Sequence, residues 1–320
     1  MNEMASPSVA IIILNWNNWQ DTVECLESIS LNDYLNYRII VVDNGSADDS
    51  VAQIGQRFKS IQLLETGKNL GFSGGVNFGI ERAKATDLIL LLNNDTLVDR
   101  SFLTELVRKI ASDPAIGLVG GKIYHYDSEQ CHAGFSRSNQ CKIWSAGGGI
   151  HQFTKRTFQY GEGKIDRGQW DREREVDFLS GCCLLVRRDV IEKIGLLDPD
   201  YFMYYEDVDF CVRAKKAGFK ICFTPKSVIW HKVSKSSDKS ERDFYRIRNA
   251  IIILRKQFGF SKLKIVMVVA IISMERLLRM LARKFILFDK DSITKRAVQL
   301  FSGTLNGLRF ISTLQTRFEK

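Results

Sequence analysis

Residues Asp87 to Thr96 read Asp-Leu-Ile-Leu-Leu-Leu-Asn-Asn-Asp-Thr, and the fold is decided by that stretch. Five consecutive apolar residues, Leu88 to Leu92, show no polar alternation, which indicates a strand buried on both faces of a sheet. The abrupt change at Asn93, Asn94 and Asp95 puts two amides and a carboxylate at its carboxyl end. In open α/β sheets that edge is where ligands bind. A carboxylate there suits a hard divalent cation, which in turn can hold a diphosphate. The plainer alternative is a strand followed by an Asx turn.

The flanking sequence repeats the pattern. Val9 to Leu14 is an apolar run that stops at Asn15-Trp16-Asn17-Asn18, and Val23, Leu26 and Ile29 then mark one face of a helix. Ile39 to Val42 ends in Asp43-Asn44-Gly45-Ser46, and Asp48 and Asp49 favour the start of a helix reaching about Phe58. Ile61 to Leu64 is a third strand, after which Gly71-Phe72-Ser73-Gly74-Gly75 leads a helix through Val76 and Ile80. Beyond the opening stretch come a helix over Ser101 to Ile110 and a strand over Ile116 to Val119. Strand and helix thus alternate, the signature of a parallel sheet with helices on both faces. Three strands end in Asn/Asp clusters, at Asn15, Asp43 and Asp95, and all three are expected on one edge.

The alternation then breaks. Tyr124 to Glu175, rich in Gly and aromatics, reads as loops and short irregular strands covering a site. Val176 to Val186 is strand-like. The aromatic cluster Tyr201 to Tyr205 precedes Glu206-Asp207-Val208-Asp209, whose carboxylates open a helix that Gly218 ends. Lys220 to Phe223 and Val228 to Trp230 read as two short strands, the second followed by His231. From Ser240 the chain turns helical. The expected division is an α/β catalytic domain over 1–239 and a basic, amphipathic helical region over 240–320.

Composition narrows the function. With 320 residues, 45% hydrophobic and 26% charged, the chain is ordinary globular material. Its net charge of +9 is uneven: Lys232 to Lys320 holds 20 Lys and Arg against 7 Asp and Glu, a net of +13. Such a tail fits an anionic surface, membrane or nucleic acid. Arg276, Arg279 and Arg283 recur at helical spacing opposite Leu277, Leu278 and Leu281, which suits an interfacial helix or one packed on its own domain. No secretory leader and no spanning segment is expected. Seven cysteines without a CxxC pair suggest reduced, buried thiols in a cytosolic protein, and Cys131, His132, Cys141 and His151 match no common zinc spacing.

A nucleotide-diphosphate ligand accounts for the polar strand ends. Asp43 can accept from a pyrimidine imide, Gly71, Gly74 and Gly75 let backbone approach a phosphate at a helix N-terminus, Asp95 can anchor a metal, and Asp207 can act as general base. The dinucleotide-dependent oxidoreductases need G-x-G-x-x-G after the first strand, where this chain has no glycine. A non-catalytic membrane or nucleic-acid binder leaves the strand ends unexplained.

Val9–Asn17 (VAIIILNWN), Val42–Ser46 (VDNGS), Asn69–Gly79 (NLGFSGGVNFG), Leu91–Thr96 (LLNNDT), Asp177–Gly181 (DFLSG) and Asp198–Arg213 (DPDYFMYYEDVDFCVR), in that order, resemble the family 2 glycosyltransferases, most closely the bacterial rhamnosyltransferase-like branch. The resemblance covers about Val9 to Asn249. It implies a GT-A fold, a Rossmann-like and mostly parallel sheet with flanking helices, here followed by a C-terminal helical segment. It implies inverting transfer of rhamnose or another deoxyhexose from a nucleotide diphosphate to a hydroxyl of a bacterial surface-glycan precursor, with Mg²⁺ or Mn²⁺. Asn15, Asp43, Asn69, Gly74, Asn93, Asn94 and Asp95 are the implied nucleotide-sugar contacts, with Asn93 to Asp95 in place of the metal-binding DXD. Asp95 and His231 are the implied metal ligands, Asp207 the base and Glu206 its catalytic neighbour. The DXD position here carries one carboxylate instead of two. The implied partners are a lipid-linked glycan acceptor and an anionic membrane surface, without nucleic acid. The implied location is the inner face of the cell membrane, peripherally from the cytoplasm.

Overall fold

The computed structural model describes residues 6–126, 141–233, 239–271, 301–311 and 313. The described chain falls into two bodies. The first, built from 1–150, 157–202 and 206–234, contains the sheet. The second is built from 151–156, 203–205 and 235–320, and its described residues include the helices given below.

In chain order the first body runs β1 (Val9–Asn15), α1 (Trp19–Ser30), β2 (Tyr37–Asp43), α2 (Ser50–Arg57), β3 (Gln62–Glu65), α3 (Gly71–Arg82), β4 (Leu88–Asn93), β5 (Thr96–Val98), α4 (Phe102–Ala111) and β6 (Ile116–His125). There follow β7 (Ile143–Ser145), β8 (Gly148–Ile150), β9 (Thr157–Gln159), β10 (Arg174–Glu175), β11 (Cys183–Arg187), α5 (Arg188–Ile194), α6 (Glu206–Lys216) and β12 (Lys220–His231). The main sheet has the order β10-β12-β6-β11-β4-β1-β2-β3, with β5 on β12 and β7 on β6.

Four strands, β3-β2-β1-β4, are mutually parallel, as the alternation with helices requires. Their apolar runs are the reason β1 and β4 lie inside the sheet: Val9 to Ile13 and Leu88 to Leu92 are all buried. Fully burying each such side chain contributes about 1.5–3 kcal/mol. One face of this sheet packs on Leu26 and Ile29 of α1 and on Phe102, Leu106 and Ile110 of α4. On the other, α3 lies so close that a Cβ at Gly79 would sit 2.7 Å from Ile12 Cγ2, and one at Gly75 would collide with Leu14. These two glycines are therefore explained by helix–sheet contact.

Several expectations are corrected here. β11 is shorter than the expected Val176–Val186 strand and runs antiparallel to both β4 and β6, so the sheet is mixed. The strand expected over Ile116 to Val119 continues to His125, and the two short strands around His231 are one, β12, with an irregularity between Thr224 and Val228. The helix expected after Gly75 already begins at Gly71. The segment between β6 and β11 does hold short irregular strands, and Asp166 pins it to β6 by accepting from Lys122 Nζ (2.7 Å) and the Tyr124 hydroxyl (2.5 Å).

In the second body, α7 (Lys239–Lys256) packs with the helical residues 262–271 and 301–311 around Ile251, Leu254, Phe260, Ile265 and Ile311. The arginines Arg276, Arg279 and Arg283, and Cys131 and His132 of the weighed zinc set, lie outside the described residues. All six described cysteines are buried free thiols, as expected of reduced protein.

Candidate active site

Register brings the polar strand ends to one level. Asn15 at the end of β1 pairs with Asp43 at the end of β2, and Leu14 pairs with Asn93 at the end of β4. The three clusters expected on one edge do share it.

Asn15 is fully buried and its amide is committed inside the protein. Its Nδ2 donates to Asp43 Oδ1 (2.9 Å) and Ser46 Oγ (3.2 Å), and its Oδ1 accepts from Thr22 Oγ1 (2.7 Å). Asn15 therefore orients Asp43. Asp43 also accepts from Ser46 N (3.0 Å) and Ser46 Oγ (2.5 Å), which fixes both carboxylate oxygens. Asn44, which the sequence reading passed over, links this edge to the next loop. Its Nδ2 donates to Asn69 Oδ1 and to the Gly71 carbonyl (both 3.1 Å), and its Oδ1 accepts from Leu70 N (3.0 Å). Asn69 closes an Asx turn by accepting from Gly71 N (2.8 Å).

The glycine loop packs against Phe202. A Cβ on Gly71, whose φ is +72°, would strike the Phe202 carbonyl, and Phe72 N donates to that carbonyl (2.7 Å) while Ser73 Oγ donates to the Tyr201 carbonyl (2.9 Å). The N-terminus of α3 is thus approached by protein backbone. Gly74 lies in that first turn, against Leu70.

The Asn93–Asp95 corner turns directly from β4 into β5. Because β12 pairs antiparallel with β5, His231 falls opposite Thr96, next to Asp95. The result is a contact of 3.1 Å between His231 Nε2 and Asp95 Oδ1. The imidazole also stands edge-on to Trp144, 4.8 Å between ring centres. Lys232 anchors this strand end: its N–H donates to the Asp95 carbonyl (2.9 Å), and its Nζ donates to Asp21 and Glu24 on α1 (both 2.6 Å). Asn94 is held by Thr22, through Nδ2 to Oγ1 at 3.0 Å.

Asp95 and His231 offer one carboxylate and one imidazole, donor types that suit Mg²⁺ or Mn²⁺. Among the described residues no group of three or more His, Cys, Asp or Glu converges on a metal position. Two protein donors fit an ion that takes its other ligands from water and phosphate. His231 Nδ1 is buried without a hydrogen-bond partner among the described residues, so it lacks the outer acceptor that usually orients a metal-bound imidazole.

The three carboxylates at the start of α6 have separated environments. Asp209 is buried and paired with Arg213, Nε to Oδ2 at 2.7 Å. Glu206 is buried, with Oε2 unpartnered among the described residues. Burial, then the charges of Asp207 and Asp209, push its carboxyl well above the ordinary carboxylate range. Asp207 is the most exposed of the three. Gly181 N (3.0 Å) and Val208 N (2.8 Å) donate to its two oxygens and aim them. A Cβ on Gly181 would touch both the Phe72 ring (3.3 Å) and Asp207 Cβ (3.7 Å), so a larger residue there would crowd the carboxylate. In the aromatic cluster before α6, Tyr201 is fully buried and so belongs to the core.

Comparison with known proteins bears on the family and the fold. Residues 7–249 match the family described as Glycosyltransferase like family 2. Among curated relatives, the N-acetylglucosaminyl-diphospho-decaprenol L-rhamnosyltransferase of Mycobacterium tuberculosis is 29% identical over 231 residues, 67% of this chain and 72% of that protein. The rhamnosyltransferase WbbL of Escherichia coli K12 is 25% identical over 237 residues, 68% of this chain and 80% of that protein. Among solved structures, the mannosyltransferase PcManGT of Pyrobaculum calidifontis with GDP-Man and Mn²⁺ aligns with a TM-score of 0.58 at 15% identity, over 95% of this chain and 88% of that one. GalNAc-T7 with UDP, GalNAc and Mn²⁺ aligns with a TM-score of 0.59 at 13% identity; 79% of this chain is covered, but only 48% of that one.

Proposed function

The chain belongs to the family 2 glycosyltransferases and has the GT-A fold, and on that premise we propose that it is an inverting, metal-dependent rhamnosyltransferase. The donor is a nucleoside diphosphate carrying rhamnose or another deoxyhexose, and the acceptor is a hydroxyl of a lipid-linked bacterial surface-glycan precursor. The observation that carries the reading is the position of Asp207, aimed by two backbone N–H groups and more exposed than its acidic neighbours. The relatives named for rhamnose transfer, one of them to a decaprenol-linked sugar, support the donor and acceptor classes.

In this reading Asp207 takes the proton from the acceptor hydroxyl as that oxygen attacks the anomeric carbon. The bond from the anomeric carbon to the diphosphate oxygen breaks, the nucleoside diphosphate leaves with the electron pair, and the configuration inverts. Asp43 orients the nucleobase. Asp95 and His231 would hold the divalent ion, which when bound supplies Lewis-acid stabilisation of the diphosphate charge. Transfer from dTDP-, UDP- and GDP-linked deoxyhexoses, with and without EDTA, tests the proposal. Transfer from at least one donor is expected, with loss in EDTA. Asp95→Ala should lower it by about 10²–10³-fold, as removal of a preorganised electrostatic group does. Full activity in excess EDTA excludes the metal, and no turnover with any donor excludes the reaction.

The same reading puts the protein peripherally at the inner face of the membrane, where a lipid-linked acceptor is reached. Helical residues 262–271 expose Leu263, Val266, Met267 and Ile271, with Lys262 and Lys264 beside them. The basic tail adds attraction of about 1 kcal/mol for each Lys or Arg near an anionic surface. Among the described residues no helix is long and apolar enough to cross a membrane. Co-sedimentation with anionic liposomes is expected at low salt and is expected to weaken in Leu263→Asp/Met267→Asp. Binding unaffected by that double substitution, or no binding, removes the membrane from the proposal.

A further inference from the structure

The strand end that carries His231 has a neighbour delivered by a break in the sheet. β7 pairs antiparallel with β6 through Ile123 with Ser145 and Tyr124 with Ile143, so two adjacent residues of β6 oppose residues two apart on β7. Trp144 is left over between them, the extra residue of a β-bulge. A bulge re-aims a side chain away from the direction that strict alternation gives it. This one is held from outside: Ile143 N donates to the Lys164 carbonyl (2.8 Å), Gly163 N to the Ile143 carbonyl (2.8 Å), and His125 N to the Lys142 carbonyl (2.9 Å).

β12 pairs with the same residues of β6, Ile123 and Tyr124, and so lies along the opposite edge from β7, with His231 beside His125. The half-buried Trp144 indole nevertheless meets the His231 imidazole, with ring centres 4.8 Å apart and planes at 90°. It reaches over β6 to do so, packing on the way against the core cluster that contains Ile123 and Ile229. Perpendicular aromatic pairs at this spacing are a favoured and directional arrangement.

The imidazole needs such a neighbour. A metal-bound histidine ordinarily donates its second ring N–H to a carboxylate, a carbonyl or water, and that bond fixes the ring. His231 is buried, and its Nδ1 has no hydrogen-bond partner among the described residues. Its Nε2 stands 3.1 Å from Asp95 Oδ1, the other implied ligand, so that contact is no anchor independent of the ion.

We propose that Trp144 is a positioning residue for the metal site: its indole, aimed by the bulge, fixes the plane of the His231 ring in place of a hydrogen bond at Nδ1 and so keeps Nε2 turned to Asp95. This rests on the reading of Asp95 and His231 as metal ligands. It gives β7 a task in the transfer reaction, although none of its residues touches the reacting atoms.

The test compares the full-length parent with Trp144→Phe, Trp144→Leu, His231→Ala and His231→Ala/Trp144→Leu. Phenylalanine keeps an aromatic face, and leucine keeps apolar bulk without one. The first readout needs no ion: the imidazole signals of histidine-labelled protein by nuclear magnetic resonance, with those of His231 identified by their loss in His231→Ala. Trp144→Leu should broaden or split the His231 signals, because the ring is free to turn, and Trp144→Phe should leave one sharp set. The second readout is the Mn²⁺ dissociation constant, from the electron paramagnetic resonance of free Mn²⁺ with saturating dTDP, UDP or GDP. Trp144→Leu should weaken Mn²⁺ binding by about tenfold or more and Trp144→Phe by no more than about threefold. In the His231→Ala background Trp144→Leu should add less than about twofold, since the indole acts through that ring. His231 signals as sharp in Trp144→Leu as in the parent overturn the proposal. So does equal weakening of Mn²⁺ by leucine and phenylalanine, the same loss with and without His231, or loss of fold in both single Trp144 variants, each of which makes Trp144 a packing residue only. A parent that binds no Mn²⁺ with any of the three nucleotides removes the metal reading, while the ring signals still decide whether Trp144 positions His231.

Discussion

The end of β1–β2–β4 and the start of α6 both present clustered carboxylates and amides, yet they solve opposite problems. At the ends of β1 and β2 the polar side chains answer one another. Asn15 joins Thr22, Asp43 and Ser46, and Asn44 joins Asn69, Leu70 and Gly71. That lattice is rigid before any ligand arrives. At α6 three acids within four residues are unequal: Glu206 buried and pushed toward its neutral form, Asp209 neutralised by Arg213, Asp207 half-buried and held by two backbone N–H groups. The first region shapes a place, and the second selects one reactive group from several alike. Mutations should therefore act on stability in the first region and on rate in the second.

The largest expected effect lies at α6. Asp207→Asn keeps the size and removes the base, so turnover should fall by about 10²–10⁴-fold, roughly 3–5.5 kcal/mol of barrier, with calorimetric donor affinity nearly unchanged. Asp209→Asn should cost stability through the broken pair with Arg213 and far less rate. Turnover of Asp207→Asn within about threefold of the parent would move the base elsewhere.

A middle-sized effect is expected at the strand ends. Asn15→Ala leaves buried Thr22 and Asp43 atoms short of a partner, at about 1–3 kcal/mol for each group stranded. Denaturant unfolding should show that loss, and per folded molecule kcat should change much less than in Asp207→Asn. A variant of parental stability but lost turnover would show that Asn15 touches substrate and would erase the contrast between the regions.

The smallest effect, and the one that sharpens the contrast most, is in the pH dependence of Glu206. Its folded carboxyl titrates well above the unfolded value of about 4.3. The stability it contributes is therefore fully present below that unfolded value and is lost as pH rises through the folded one. Glu206→Gln imitates the neutral form, so its unfolding temperature should fall less than the parent's between pH 5 and pH 9. Parallel profiles would mean that Glu206 is ionised in the fold.

The central strands and their polar ends were legible because both signals are local. An apolar run without alternation identifies a buried strand, and an abrupt Asn/Asp ending marks where it emerges, as at Leu92 to Asp95. The Gly71–Gly75 loop was less legible, for the opposite reason. Glycine in a sequence says that something approaches closely, and only the fold shows that the visitor is Phe202, 131 residues further on. Asn44 was missed beside a conspicuous Asp43, although its place in the VDNGS run was a usable signal.

By itself the sequence determined the alternating α/β architecture, the shared edge of Asn15, Asp43 and Asp95, the family and the candidate base, since these rest on short-range patterning and on ordered motifs. The tertiary structure alone decided how Asp207 differs from Glu206 and Asp209, why His231 reaches Asp95, and what stands against the His231 ring. The reason is physical: burial and charge neighbourhood belong to a position in space. Asp95 meets His231 through the pairing of β5 with β12, and Trp144 meets the same histidine from the far side of β6. No local pattern encodes those meetings.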